Sequence, residues 1–371
     1  MSAALAEPPD PPAPTPGKLW APRRVLITRA ARGFAHGRAI AERAAALGAA
    51  IVELPGDRLV GLSALGDGDP RRAYRDAKAT LAVTVASPAK RRLQPIPPSA
   101  DWRFDLAEGC PAHCQYCYLA GSLAGPPITR AYANLEEIFA GLAAGLGQGG
   151  VTSRSAARAA EGTTYECSCY TDPLALEPVT GSLAEAIRFF GAWAAPVQLR
   201  WTTKYDAVGP LLSLPHAGRT RVRFSVNAEP VARRLEGGTA PLASRLAAMG
   251  RMARAGYPVG LTIAPIMPID GWREHYGALL DGAARALAGI APLDLTAELI
   301  THRFTPGSKE VLTGWYPGSS LEMDEAARSR KLTKFGSLKY VYPAERMREL
   351  RRWFEQALAE RLPAARVLYW T

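Results

Sequence analysis

The sequence predicts an α/β protein, built on an incomplete (β/α)6 barrel with a small β-α-β region before it and an extension after it. Two observations carry this. From about residue 101, short apolar strands alternate with longer helical patterns, the signature of a parallel sheet with crossover helices. There are six such units, too few to close an eightfold barrel. Strands are expected at 102–106, 163–169, 197–203, 220–227, 259–265 and 293–300, and helices at 134–146, 181–193, 206–213, 240–255 and 272–289.

Each region has its own reason. Residues 1–17 hold six prolines, two acids and no base, so they are expected to be a disordered tail. Within 18–98, Val25–Thr28 and Ala50–Leu54 are expected strands flanking an Ala-rich helix from Gly37 to Leu47, and 80–85 adds a third strand. The unit lacks a Gly-x-Gly-x-x-Gly loop and is assigned no nucleotide site. Pro95, Pro97 and Pro98 mark a boundary, so the barrel is expected over 99–305 and the extension over 306–371. In the helix at 240–255, Leu242, Leu246 and Met249 share a face and Gly256 sits at the C-terminal cap. In the fourth barrel strand Val222, Phe224 and Val226 point one way, while Arg221, Arg223, Ser225 and Asn227 point into the barrel. That polar face is either a ligand site or a salt-bridged lumen.

The bulk composition narrows the class. The chain has 371 residues, 48% of them hydrophobic, and a net charge of +11, enough for a sizeable soluble core. No stretch reaches the roughly 18 apolar residues of a membrane span. A cytoplasmic setting, where thiols stay reduced, is expected. The basic excess suits a polyanion such as nucleic acid, although Arg-rich chains are often basic without one.

The chemistry lies in Cys110, Cys114 and Cys117, spaced by three residues and then two directly after the first barrel strand. Three thiolates in one loop satisfy three irons of a [4Fe-4S] cluster and leave the fourth open to a ligand. S-adenosylmethionine is the ligand associated with this spacing, and Tyr116 or Tyr118 supplies the usual aromatic beside the last cysteine. Structural zinc wants four ligands, commonly two knuckles, and only His113 accompanies the cysteines here. Five cysteines without a secretory signal argue against a disulfide set. A second pair, Cys167 and Cys169, ends the second strand. In extended chain they share a face about 6.6 Å apart, either as two buried apolar residues or as thiols offered to a carbon radical.

Seven segments, in order, resemble spore photoproduct lyase, a radical S-adenosylmethionine DNA-repair family. They are Gly109–Leu119, Tyr165–Asp172, Trp201–Tyr205, Arg221–Asn227, Ala255–Gly260, Ala264–Ile266 and His302–Phe304. The resemblance runs from about residue 20 to the C-terminus and implies a radical S-adenosylmethionine partial barrel. It implies that Cys110, Cys114 and Cys117 hold the cluster, and that Thr171, Lys204, Ser225 and Ala264 line the S-adenosylmethionine pocket, with Lys204 meeting the carboxylate. It also implies that Cys169 is the hydrogen-atom donor and that Tyr116 and Tyr118 relay the hydrogen atom back. Cys167 falls where the family has a small apolar residue. The implied reaction cleaves S-adenosylmethionine to a 5′-deoxyadenosyl radical, abstracts hydrogen from 5-thyminyl-5,6-dihydrothymine and restores two thymines, Cys169 quenching the last radical. A reductant such as flavodoxin or ferredoxin would supply the electron.

The expected partner is UV-damaged DNA, whose lesion leaves the base stack to reach the barrel mouth. Residues 328–340 carry five positive charges and no acid, with Phe335, Gly336 and Tyr340 between them. Cations for phosphates plus an aromatic wedge at a hairpin turn suit such a substrate; a solvated basic loop is the plainer alternative. Lys334, Phe335 and Lys339 are candidate contacts there, and Arg303 is another. The family carries tyrosine where Phe335 stands and arginine where Lys334 stands. Two other functions therefore stay open: the same machinery acting on another thymine photoproduct or nucleic-acid substrate, and a non-catalytic iron–sulfur protein that binds nucleic acid.

Overall fold

The computed structural model describes residues 19–60, 62, 69–122, 126–332, 336 and 338–371. The Pro-rich tail, Lys334 and Phe335 lie outside the described residues. Seventeen strands are described, in two large sheets and two small ribbons: β1 Arg24–Ile27, β2 Ala50–Glu53, β3 Thr80–Thr84, β4 Gln94–Ile96, β5 Ala100–Phe104, β6 Ala107–Glu108, β7 His113–Cys114, β8 Thr129–Tyr132, β9 Thr163–Cys167, β10 Val197–Thr203, β11 Thr220–Val226, β12 Glu236–Gly237, β13 Val259–Ile266, β14 Leu295–Thr301, β15 Ser329–Leu332, β16 Leu338–Val341 and β17 Ala365–Trp370.

The larger sheet runs β17-β14-β13-β11-β10-β9-β5-β4. The six expected strands β5, β9, β10, β11, β13 and β14 are its parallel centre. Its ends stay open, so it curls into a half-barrel. Two strands lengthen it beyond expectation: β17 adds parallel to β14 and β4 antiparallel to β5. Helices Ser182–Ala192, Leu242–Arg254 and Trp272–Leu287 lie near their expected ranges. Leu242, Leu246 and Met249 are buried, and a fully buried Leu or Met contributes roughly 1.5–3 kcal/mol. Gly256 follows with φ +86°, a left-handed conformation that favours glycine.

Three expectations are corrected. The helix at 206–213 is only a 3-10 turn over Gly209–Leu211, because Gly209 and Pro210 cannot propagate an α-helix. The cluster loop does not follow the first barrel strand directly; β6 intervenes and pairs antiparallel with β8. The second strand stops at Cys167, because Ser168 takes φ +53° and turns the chain.

The smaller sheet, β2-β1-β3-β8-β6, contains the expected β-α-β unit. It is completed by β8 and β6 from later in the chain. Its core of Val25, Ile27, Ile40, Leu81, Val83 and Ala131 also takes Leu176 and Val179, which belong to helix Pro173–Thr180 after β9. That helix ties the two sheets together.

Inside the half-barrel a layer of charge fills the lumen. Arg200 and Arg223 donate to Glu298 at 2.6 and 2.7 Å, and Arg223 also pairs with Glu166. Tyr369 and Thr262 donate to the same Glu298 carboxylate at 3.0 and 3.2 Å. Arg221, the first inward residue of its strand, bonds Asp294 at 2.6 Å. For Arg221 and Arg223 the salt-bridged reading holds; Ser225, one step further along β11, belongs to the mouth.

Candidate functional site

The site lies at the C-terminal ends of the barrel strands, where a parallel barrel places its ligands. The cluster loop begins at Gly109, whose φ is +78° and whose missing Cβ leaves room for the Ile128 carbonyl. A side chain there would collide with backbone. Beyond it, β7 pairs antiparallel with β12, Cys114 opposite Glu236 and His113 opposite Gly237. Lys78 donates to the carbonyls of Cys110 and Ala112 at 2.5 and 2.6 Å. The Tyr74 hydroxyl meets His113 Nδ1 at 3.0 Å and also bonds Tyr316. The loop is thus held by the N-terminal region, the barrel and the extension together.

All three thiols are partly buried and lie within electrostatic reach of one another. Burial pushes Cys110 up to about 11, against the pull of Lys78. Cys114 is pushed up too, by burial with Lys204 opposing. Thiolates at such positions need further positive charge, which a bound metal centre would supply. Among the described residues no three of His, Cys, Asp or Glu gather around one ion. A four-iron cubane does not require that, since each thiolate binds its own iron.

Beside the loop, Lys204, Ser225 and Ala264 come together. Lys204 Nζ donates to Ser225 Oγ at 2.8 Å, Glu236 Oε1 at 3.0 Å and the Ala264 carbonyl at 3.4 Å. The Lys204 amide is fixed by Asp172, which also accepts from Thr203 and caps helix Pro173–Thr180. Thr171 Oγ1, next to that cap, is buried with no hydrogen-bond partner among the described residues. An ammonium on few partners, with an unsatisfied hydroxyl one residue before the acid that fixes the Lys204 amide, fits a small ligand with a carboxylate and further polar atoms. Nearby, a cavity of about 230 Å³ opens between Val231, Leu235, Met267, Ile269 and His302.

Glu236 is the residue the sequence did not reveal. It accepts from Tyr116, Lys204 and Arg245. Burial alone would raise its carboxyl, but Lys204, Arg245 and the Tyr116 hydroxyl outweigh it and hold it down at about 2. Glu236 follows a short helix and shows no local signal. Arg245 does have one: it interrupts the apolar stripe of Leu242, Leu246 and Met249, and it is fully buried.

The two tyrosines beside Cys117 part company. Tyr116 is buried against Glu236, with Lys204 Nζ 5.5 Å from its ring centre. Tyr118 is 41% exposed under the Arg303 guanidinium, 5.5 Å from its ring centre. The cysteine pair parts as well. The turn at Ser168 overturns the shared face expected of them: Cys167 is buried in the apolar core, while Cys169 is partly exposed with Arg103 Nη1 4.0 Å from its sulfur.

The basic segment is a hairpin, β15 against β16, with Lys331 opposite Lys339. Like charges directly opposite one another repel, so this pair suits an anion. Two of its residues are not free for contact. Arg328 is buried 3.8 Å from the Tyr342 ring centre and bonded to Glu322 and the His302 carbonyl. Tyr340 stacks on Phe304 and donates to Glu325 at 2.6 Å. Lys339 lies near Arg303 and Lys331; burial, then these two cations, lowers its basicity.

The comparisons agree with one another. The spore photoproduct lyase family model matches residues 20–371. Spore photoproduct lyases of a Geobacillus strain and of Bacillus subtilis are 40% and 38% identical over 298 residues, 80% of this chain and 84% of each relative. A solved spore photoproduct lyase with bound dinucleoside spore photoproduct covers 95% of this chain and 100% of its own, at 36% identity and TM-score 0.87. A mutant form with AdoMet and the same dinucleoside bound is 35% identical, with the same coverage and TM-score. On the sequence match over nearly its whole length and on the shared fold, the chain belongs to the spore photoproduct lyase family.

Proposed function

We propose that this protein is a radical AdoMet lyase that reverts the spore photoproduct in UV-damaged DNA to two thymines. Cys110, Cys114 and Cys117 would hold a [4Fe-4S] cluster. Lys204, Ser225, Ala264 and Thr171 would receive S-adenosylmethionine. The observation that carries the reading is the gathering of Ser225 and the Ala264 carbonyl around the Lys204 ammonium, beside a three-cysteine loop. When bound, the two groups supply one-electron reductive cleavage and a carbon-centred acceptor of hydrogen.

The chain's own residues do the rest. Lys204 offers its charge to the ligand carboxylate, and Glu236 and Arg245 hold the lysine and Tyr116 in place. Cys169 keeps a hydrogen atom on sulfur for the last substrate radical. Burial, then Asp105 and Glu166, pushes this thiol up to about 12, so it stays protonated at neutral pH. Tyr116 and Tyr118 lie on opposite sides of Cys117 in sequence and relay the hydrogen atom back. Arg303 and Lys339 are phosphate contacts for the damaged strand, and Lys334 and Phe335, outside the described residues, are the further candidate contacts from the sequence. Within the extension 306–371 the hairpin is then the DNA-contacting part, and 99–305 is the bulk of the catalytic barrel, which β4 and β17 lengthen. A flavodoxin or ferredoxin in the cytoplasm is the electron source.

The test is anaerobic turnover of an oligonucleotide carrying spore photoproduct, with reconstituted protein, S-adenosylmethionine and dithionite, read by mass spectrometry. Restored thymines with wild type and diverted products with Cys169→Ala are expected. Formation of 5′-deoxyadenosine with the lesion intact would shift the assignment to another nucleic-acid substrate. No cleavage by protein holding its cluster would point to a binding role.

A further inference from the structure

Two charged residues at the end of the first barrel strand border the Cys169 thiol, and no role has yet been given to them as a pair. Arg103 is the penultimate residue of β5 and Asp105 follows the strand. Arg103 Nη1 lies 3.3 Å from Asp105 Oδ2 and 4.0 Å from Cys169 Sγ. Its guanidinium sits 4.4 Å from the ring centre of Tyr170, the neighbour of Cys169. Asp105 Oδ1 is buried without a hydrogen-bond partner among the described residues, an arrangement that costs stability unless it serves something.

We propose that Arg103 and Asp105 are positioning residues for the Cys169 thiol, Arg103 fixing its place and Asp105 keeping its hydrogen on sulfur. This rests on Cys169 as the donor. Donation breaks the S–H bond homolytically: proton and one electron pass together to the substrate carbon, and a thiyl radical stays on sulfur. A thiolate has no hydrogen atom to give and could pass on only an electron, so the donor must stay protonated. Arg103 alone would favour the thiolate. A carboxylate on the same guanidinium offsets that bias while leaving Arg103 free to hold the turn at Ser168–Tyr170.

The charged groups around the pair act consistently. Burial, Asp105 and Glu166 from β9 raise Cys169, and Arg103 opposes them. Burial also raises Asp105 to about 6, with Arg103 and Lys90 opposing and Glu108 adding to the rise. Asp105 is therefore mostly ionised above neutral pH, the range of the labelling test below.

The test is alkylation of Cys169 by iodoacetamide in anaerobically reconstituted holoenzyme, followed by peptide mass spectrometry across pH. In wild type the midpoint should lie well above that of an ordinary thiol, about 8.5. Asp105→Asn should lower it, and labelling at pH 8 should run about tenfold faster for a midpoint that falls by about one pH unit. Asp105→Glu, which restores the charge, should bring the wild-type profile back. A wild-type midpoint near the ordinary value overturns the proposal without any variant, and so does an Asp105→Asn profile that matches wild type. Failure of the donor assignment is seen separately, as unchanged repair products with Cys169→Ala.

Discussion

Two layers of the same half-barrel use the same inward-facing positions to opposite ends. In the mid-strand layer, Arg200 and Arg223 meet Glu298 and Glu166 from neighbouring strands. At the mouth, Lys204 and Ser225, the next inward residue after Arg223 on β11, meet one another, a carbonyl and a single buried acid, Glu236. The lower layer locks charge against charge and closes the lumen. The upper layer keeps a cation on few partners, where an exchangeable ligand can compete. Strand alternation puts polar groups inward in both layers; the acids delivered by other strands decide which layer is a plug and which is a site.

The difference can be broken from either side. The largest effect is expected from Cys114→Ala, which should reduce iron content and the cluster's visible absorption and take spore photoproduct turnover to background. In the lower layer, Glu298→Ala should remove the acid that Arg200 and Arg223 share, leaving them only Glu161 and Glu166, and lower unfolding free energy by up to about 3–5 kcal/mol, measured by urea titration. A pH signature goes with it. Burial would raise Glu298, but Arg223 and Arg200 hold its carboxyl below the ordinary value. Its stabilisation should be fully present above the unfolded carboxyl range of about 4.3. It should fade as pH falls through the folded value, and be absent from the acid limb of the variant.

At the mouth, Lys204→Met should leave the fold intact, since Arg245 still neutralises Glu236. It should weaken S-adenosylmethionine binding by about 1.5–3 kcal/mol, read by equilibrium dialysis. Lys339→Ala should weaken damaged-DNA binding and reduce the slope of log affinity against log salt by about 1, while S-adenosylmethionine binding is unchanged. The smallest effect sharpens the contrast between the cysteines: Cys167→Ala should cost about 1 kcal/mol of stability through a small cavity and leave repair products unchanged. Altered products would place the buried thiol in the hydrogen-transfer chain.

Much of the architecture was legible because periodicity is local. The strand at 197–203 and the helix starting at 272 follow from windows of a few residues, and the parallel order follows from their alternation. Differences arise where one residue changes the backbone course. Ser168 at positive φ separates two cysteines that an extended strand would have aligned, and Gly209 with Pro210 stops a helix that apolar spacing favours. The hairpin is legible in the basic segment, but the burial of Arg328 and Tyr340 is not, because their partners Tyr342, Glu322, Phe304 and Glu325 lie elsewhere in the chain.

By itself the sequence determined the three-cysteine loop and the inward polar face of β11, and its ordered short segments pointed to the family. These are properties of residue type at fixed short spacing, which folding cannot rearrange. Only the tertiary structure decided that Glu236 holds both Lys204 and Tyr116, that Arg103 and Asp105 flank Cys169, and that the N-terminal sheet is finished by β8 and β6. Those contacts join residues far apart in the chain. A buried charge takes whichever partner the packed strands bring within hydrogen-bond reach, and no local pattern encodes that partner.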